Sequence, residues 1–455
     1  MSILPIDTGR YGTLEMKRIF EDETKLQRML DVEAALAWAH AEVNDIPRSD
    51  AVTIERMASV KYVKLARVAA IEKEIKHDVA AVVRALSEVC GPASAYVHLG
   101  ATSSDISDTA TTLQFKEALA VVEQRLREFE KALLEKAEKY KRTIMIGRTH
   151  GQHALPTTLG FKFSVWMREN ARHLQRLREC KERLLVGKMS GAVGTQAGLG
   201  PNAMKIQELA MSRLGISPAD ISTQIIQRDR YGELIGVLAL VAGSLENFAT
   251  EIRELQRPEI GELFEPFEEA KQVGSSTMPH KRNPITCERV CGLSKVVRSL
   301  LAPAMENVIT WHERDLTQSS AERFIIPEAC ILTDYMLALI TEIISGLVVN
   351  EERMKQNIGL TKGRCMSEAV MIALTKKGMD RQEAHEYLRM LTIKSEAEEQ
   401  SFKAVLLKDE KVRKLLNERE ITHALNPRNY LGTAVRQVER VVRKTLNERK
   451  TIGLR

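Results

Sequence analysis

Aromatic side chains make up only 5% of this chain, a scarcity that goes with a composition rich in Ala, Leu, Glu, Lys and Arg and leaning toward helix. Cysteine is sparse as well, with Cys90, Cys180, Cys287, Cys291, Cys330 and Cys365 scattered along the sequence. Only Cys287 and Cys291 lie close together, at helical spacing and with no second pair to complete a zinc site, so no metal is expected and the thiols are read as reduced. The N-terminal Met-Ser-Ile-Leu-Pro-Ile-Asp lacks a basic segment followed by an apolar one, so no secretory signal is expected. The longest unbroken apolar run, around Ile235–Gly243, is too short for a bilayer. A net charge of +6 is small for this length, and no basic tail or aromatic-interleaved basic patch suggests nucleic acid. No strand-glycine-helix pattern announces a nucleotide-binding parallel sheet, and neither repeats nor low-complexity tracts are visible. The expectation is a soluble, cytoplasmic protein without nucleic-acid or membrane partners.

What the sequence does have is helical periodicity. Phe115, Leu119, Val122, Leu126, Phe129, Leu133 and Ala137 recur in steps of three and four. From Tyr231 to Leu255 a broader face carries Leu234, Val237, Leu238, Val241, Leu245, Phe248 and Ile252, which predicts a helix buried in a bundle. A third helix is expected from about Thr286 to Leu300. Breaks rich in Gly, Ser or Pro fall near 91–107, 147–160, 187–202, 257–266 and 274–284. The predicted fold is all-α in three helical domains: residues 1–110, a central bundle of long helices over 111–362, and residues 363–455. Apolar faces this broad also predict self-association, because one narrow bundle cannot cover them all.

Three separated polar segments carry candidate chemistry. Gly274-Ser275-Ser276-Thr277-Met278-Pro279-His280-Lys281-Arg282-Asn283-Pro284 combines a flexible Gly-Ser-Ser element with an ammonium and an amide between two prolines. Gly100-Ala101-Thr102-Ser103-Ser104-Asp105 offers hydroxyls that suit carboxylate or phosphate recognition and equally suit helix N-capping. Gly147-Arg148-Thr149-His150-Gly151-Gln152-His153 places two imidazoles in a polar, glycine-rich break, where a titrating group is useful. A fourth block, Trp311-His312-Glu313-Arg314-Asp315 with Ser319-Ser320-Ala321-Glu322-Arg323, has two guanidinium forks that can hold a phosphate or line a salt-bridged helix surface.

Together the first three blocks resemble the fumarase/aspartase superfamily, over Arg10 to Arg323. The Trp311–Arg323 block, with Arg10-Tyr11 and Lys76-His77-Asp78, resembles the adenylosuccinate lyase family within it. That resemblance implies β-elimination of fumarate from adenylosuccinate, and from the succinyl adduct of aminoimidazole carboxamide ribotide, with no cofactor. It implies Ser275 as base, His150 as general acid, Glu288 orienting His150, and His77 contacting the phosphate or assisting proton transfer. Lys281, Asn283, Thr102 and Ser103 would bind the succinyl carboxylates. Arg10, Tyr11, Arg314, Ser319 and Arg323 would hold the nucleotide, helped by Gln224 and the Lys76–Asp78 segment. It further implies a homotetramer whose sites draw on three subunits. Another fumarate-releasing lyase, a cycloisomerase of the superfamily, or a non-catalytic nucleotide-binding scaffold are the competing readings.

Overall fold

A computed structural model describes residues 3–267, 277–451 and 453. The helical architecture is as expected, and the described residues divide into two compact units. The first comprises residues Met1–Arg127, Arg172–Glu246 and Val290–Leu339; the second comprises Glu128–Ala171, Asn247–Arg289 and Ile340–Arg455. Helices Ser103–Lys139, Leu159–Leu184, Asp229–Gln256, Ile285–Ser299 and Thr317–Gly346 each contribute residues to both.

In the first unit, helix Asp22–Glu42 repeats Leu26, Leu30, Ala34 and Ala37 on one face, which is buried with Ile54, Ile71, Val82 and Leu86 from the three helices that follow. Phe115 meets Tyr231 edge-on with ring centroids 5.0 Å apart. In the second unit Phe129, Phe163, Trp166 and Phe248 form the aromatic core, Trp166 stacking on Phe248 at 4.9 Å. The C-terminal helices of this unit pack around their own cluster, among them Val370, Leu374, Leu388, Phe402, Leu406 and Ile421.

Two features go beyond the expectations. The break at 147–160 is largely a β-hairpin, Ile144–Thr149 paired antiparallel with Gln152–Thr158. The unbroken apolar run also understates two helices: Asp229–Gln256 and Thr317–Gly346 are long and apolar enough to cross a membrane by length and composition. Single polar or glycine residues interrupt their apolar runs, and most of each apolar window is buried inside the fold, as core helices are.

Candidate active site

In the first unit, helix Leu65–Ile75 ends on Lys76 in the left-handed region (φ 58°, ψ 35°), its N–H returning to the Glu72 carbonyl. The next residue, His77, is extended and caps helix Asp78–Cys90: its Nδ1 accepts from the Ala80 N–H at 3.3 Å. A neutral imidazole that accepts on Nδ1 carries its proton on Nε2. That edge lies 3.5 Å from the Ser103 hydroxyl. The Asp78 carboxylate accepts from the Val79 N–H at 2.8 Å and from Arg323 Nη2 at 2.6 Å. Burial alone would raise its pKa, but that N–H and the guanidinium outweigh burial and hold it below the ordinary carboxylate range. Beside them Lys25 is pushed down, first by burial and then by the Arg323 charge. Lys76, His77, Asp78, Ser103 and Arg323 are thus gathered in one place. Lys25 joins them unannounced, since nothing in Thr24-Lys25-Leu26 marks it.

Helix Ser103–Lys139 opens at Thr102, whose N–H is held by Asp105 Oδ2 at 2.9 Å, so the candidate Thr102–Ser103 segment is also the capping turn. Arg314 donates to Gln224 Oε1 at 3.0 Å, and Gln224 donates to the Ala192 carbonyl at 2.7 Å. Arg314 and Arg323 therefore rest on different partners. Buried Arg228 clamps Asp108 and Glu322 between these segments. Burial raises the Glu322 pKa despite that guanidinium. Ser319 lies in the first turn of helix Thr317–Gly346. Arg10 and Tyr11 form a pair of their own, the guanidinium 5.8 Å from the ring centroid, with Tyr11 against Tyr335 at 6.0 Å.

The second unit carries the hairpin. Thr149 pairs with Gln152, leaving His150 and Gly151 as a two-residue turn with φ of 54° and 73°. Positive φ at both positions is what a type I′ turn demands; glycine meets it freely, while His150 adopts a region that side chains seldom visit. The imidazole stands exposed at the tip. Arg148, one pair below the turn, ties the hairpin to fully buried Glu262 through two bonds at 2.9 and 2.8 Å, and Asn357 gives Glu262 a third at 2.7 Å. Gly147 leaves no room for a side chain, since a Cβ would meet the Leu155 carbonyl oxygen at 2.9 Å. His153, on the second strand, is pushed toward its neutral form by burial and then by the Arg148 charge.

Helix Ile285–Ser299 starts under a remote cap: buried Glu265 accepts from the N–H groups of Thr286 and Cys287 at 3.2 and 3.0 Å. Lys281 and Asn283 precede this helix, Lys281 exposed and Asn283 half-buried. Glu288 stands exposed in its first turn, 4.0 Å from Arg253. Among the described residues no hydrogen bond or ion pair joins Glu288 to His150 within the chain. Ser275 lies outside the described residues.

This fold, with a family model described as "Lyase" matching residues 9–299, defines a helical lyase of the fumarase/aspartase superfamily. Among solved structures, the chain is similar to a fumarate lyase from Mesorhizobium sp. BNC1 at 32% identity and TM-score 0.88, covering 95% of this chain and 98% of that one. It is also similar to a 3-carboxy-cis,cis-muconate lactonizing enzyme from Pseudomonas putida, at 35% identity and TM-score 0.89, covering 98% and 99%. A second family model, "Adenylosuccinate lyase C-terminus", matches residues 363–441. Adenylosuccinate lyase of Pyrococcus abyssi is 54% identical over 97% of this chain and 98% of its own length. That of Methanocaldococcus jannaschii is 49% identical over 99% and 97%. The chain belongs to the adenylosuccinate lyase family.

Proposed function

We propose that this lyase cleaves adenylosuccinate to AMP and fumarate, and cleaves the succinyl aminoimidazole carboxamide ribotide in the same way. Ser275 removes a proton from the succinyl carbon β to the departing nitrogen. The electron pair left behind delocalises into the neighbouring carboxylate, where Lys281, Asn283, Thr102 and Ser103 favour the added charge over the ground state. That pair then forms the fumarate double bond as the C–N bond breaks, and His150 protonates the leaving nitrogen. Glu288 orients His150 from another subunit. Arg10, Tyr11, Ser319, Arg314, Arg323, Gln224 and the Lys76–Asp78 segment bind the nucleotide.

The observation that carries this reading is the cluster in the first unit, where Arg323 and Lys25 gather around Asp78 and the neighbouring His77 turns its Nε2–H edge to Ser103. A phosphorylated dicarboxylate explains cations gathered at one place in a chain of small net charge. Exposure of His150 at a hairpin tip supports a site assembled from several copies in a cytoplasmic homotetramer, with helix Asp229–Gln256 in its interface. The separate C-terminal core supports a three-domain division with a boundary near residue 363. The test is an absorbance assay of purified protein with both succinyl nucleotides and with argininosuccinate and a carboxymuconate as controls. Turnover of a control but neither nucleotide would reject the reading.

A further inference from the structure

We propose that the buried Lys188–Asp105 pair is a positioning device that holds the Thr102–Ser103 turn and the Gln224–Arg314 pair in one register. The inference rests on the reading of those residues as substrate-binding.

Asp105 and Lys188 are both fully buried. Asp105 Oδ1 accepts from Lys188 Nζ at 2.5 Å and from the Ser190 N–H at 2.8 Å. Its Oδ2 accepts from the Gly191 N–H at 3.1 Å and from the Thr102 N–H at 2.9 Å. Lys188 Nζ also donates to Ser190 Oγ at 3.0 Å, and that hydroxyl donates to the Thr223 carbonyl at 3.1 Å. One residue beyond Gly191, the Ala192 carbonyl receives Gln224, which receives Arg314. The chain of bonds is continuous from the Thr102 turn to the Arg314 guanidinium. A buried ion pair is a poor way to gain stability, because desolvation offsets most of the attraction and an apolar pair of similar volume often does as well. What an apolar pair cannot do is collect three N–H donors from two backbone segments, the Thr102 turn and the Ser190–Gly191 stretch that leads to the Gln224 contact. Both groups are fully buried and bonded to partners inside the protein, so the role is geometric.

The test is AMP binding by calorimetry to wild type, Asp105→Asn, Arg314→Met and the double variant, with thermal melts on each. Asn keeps the shape of Asp but cannot accept from both Lys188 and the Thr102 N–H. Arg314→Met should weaken AMP about ten-fold or more in the wild-type background and less than about three-fold in the Asp105→Asn background, the non-additivity expected of coupled residues. Additive losses overturn the relay, as does an Asp105→Asn protein that binds AMP within about two-fold of wild type. Should Asp105→Asn not fold, Lys188→Met removes the arm that runs through Ser190 Oγ to the Thr223 carbonyl beside Gln224 and carries the same cycle. Wild-type protein that binds no AMP would reject the site reading itself, a result distinct from additivity.

Discussion

Replacing Arg323 by Met separates a ligand-binding role from a structural one. The guanidinium is half exposed and its contact with Asp78, at 2.6 Å, joins side chains 54% and 39% accessible. An ion pair that wet contributes about 0.2–1 kcal/mol to stability. In a protein of this size that moves the melting temperature by only a few degrees. A charge-assisted hydrogen bond to a phosphate contributes about 1.5–3 kcal/mol to binding. The Arg323→Met variant should therefore bind AMP roughly ten- to a hundred-fold more weakly while melting almost normally. Adenosine, lacking the phosphate, should bind wild type poorly and lose little more in the variant. Two titrations and a melt decide it. Equal losses for AMP and adenosine, or a melt lowered by ten degrees or so, would show that Arg323 serves the fold and not the ligand.

Ser275→Ala should fold and bind substrate yet lose kcat far more than affinity, and near-normal kcat would remove this serine as base. His150→Ala and Ser275→Ala proteins, denatured and refolded together, should regain partial activity if each residue comes from a different subunit; no recovery despite demonstrated mixing would refute a shared site. His173 sits against Ser244 at 2.8 Å, and burial, then Arg176 and Arg172, push its pKa down to about 4. The unfolded chain binds a proton between that value and 6.5, so stability is lost as pH falls through this window. His173→Gln should remove up to about 3 kcal/mol of that acid loss, read from denaturant midpoints at pH 7 and pH 4; an unchanged difference would sink the assignment.

Helices Ser103–Lys139 and Asp229–Gln256 were legible because their apolar residues keep one period over many turns. The hairpin was not. His150-Gly151 is no standard turn signal, and the hairpin is tied to its unit by Glu262, whose partner Arg148 is 114 residues away. Local pattern carries no trace of such a bond. Helix Thr317–Gly346 was not picked out from the sequence; it continues through Pro327. Among site residues, Lys76-His77-Asp78 and Arg323 were named together by the family resemblance, and the fold does bring them together. Asp105 falls in a segment that suits N-capping, and nothing in the sequence marks Lys188. Only their contact across 83 residues makes them a pair.

The two candidate histidines are positioned by backbone, and that divides their labour. His77 spends Nδ1 on the Ala80 N–H, so its neutral form donates from Nε2. An imidazole in that state cannot give up the Nε2 proton without becoming an anion, and protonating Nδ1 would set a proton against the Ala80 N–H. As a cap, His77 can offer a hydrogen bond to a hydroxyl or a phosphate oxygen but is poorly placed to deliver a proton. His150, held by the turn and exposed at its tip, has no hydrogen bond among the described residues that fixes either nitrogen. The proton for the departing nitrogen is therefore expected from His150. Two-bond ¹H–¹⁵N correlation spectra of the unliganded protein should show neutral His77 as the Nε2–H tautomer. A Nδ1–H tautomer at His77 would break the cap argument and return both histidines to contention as the acid.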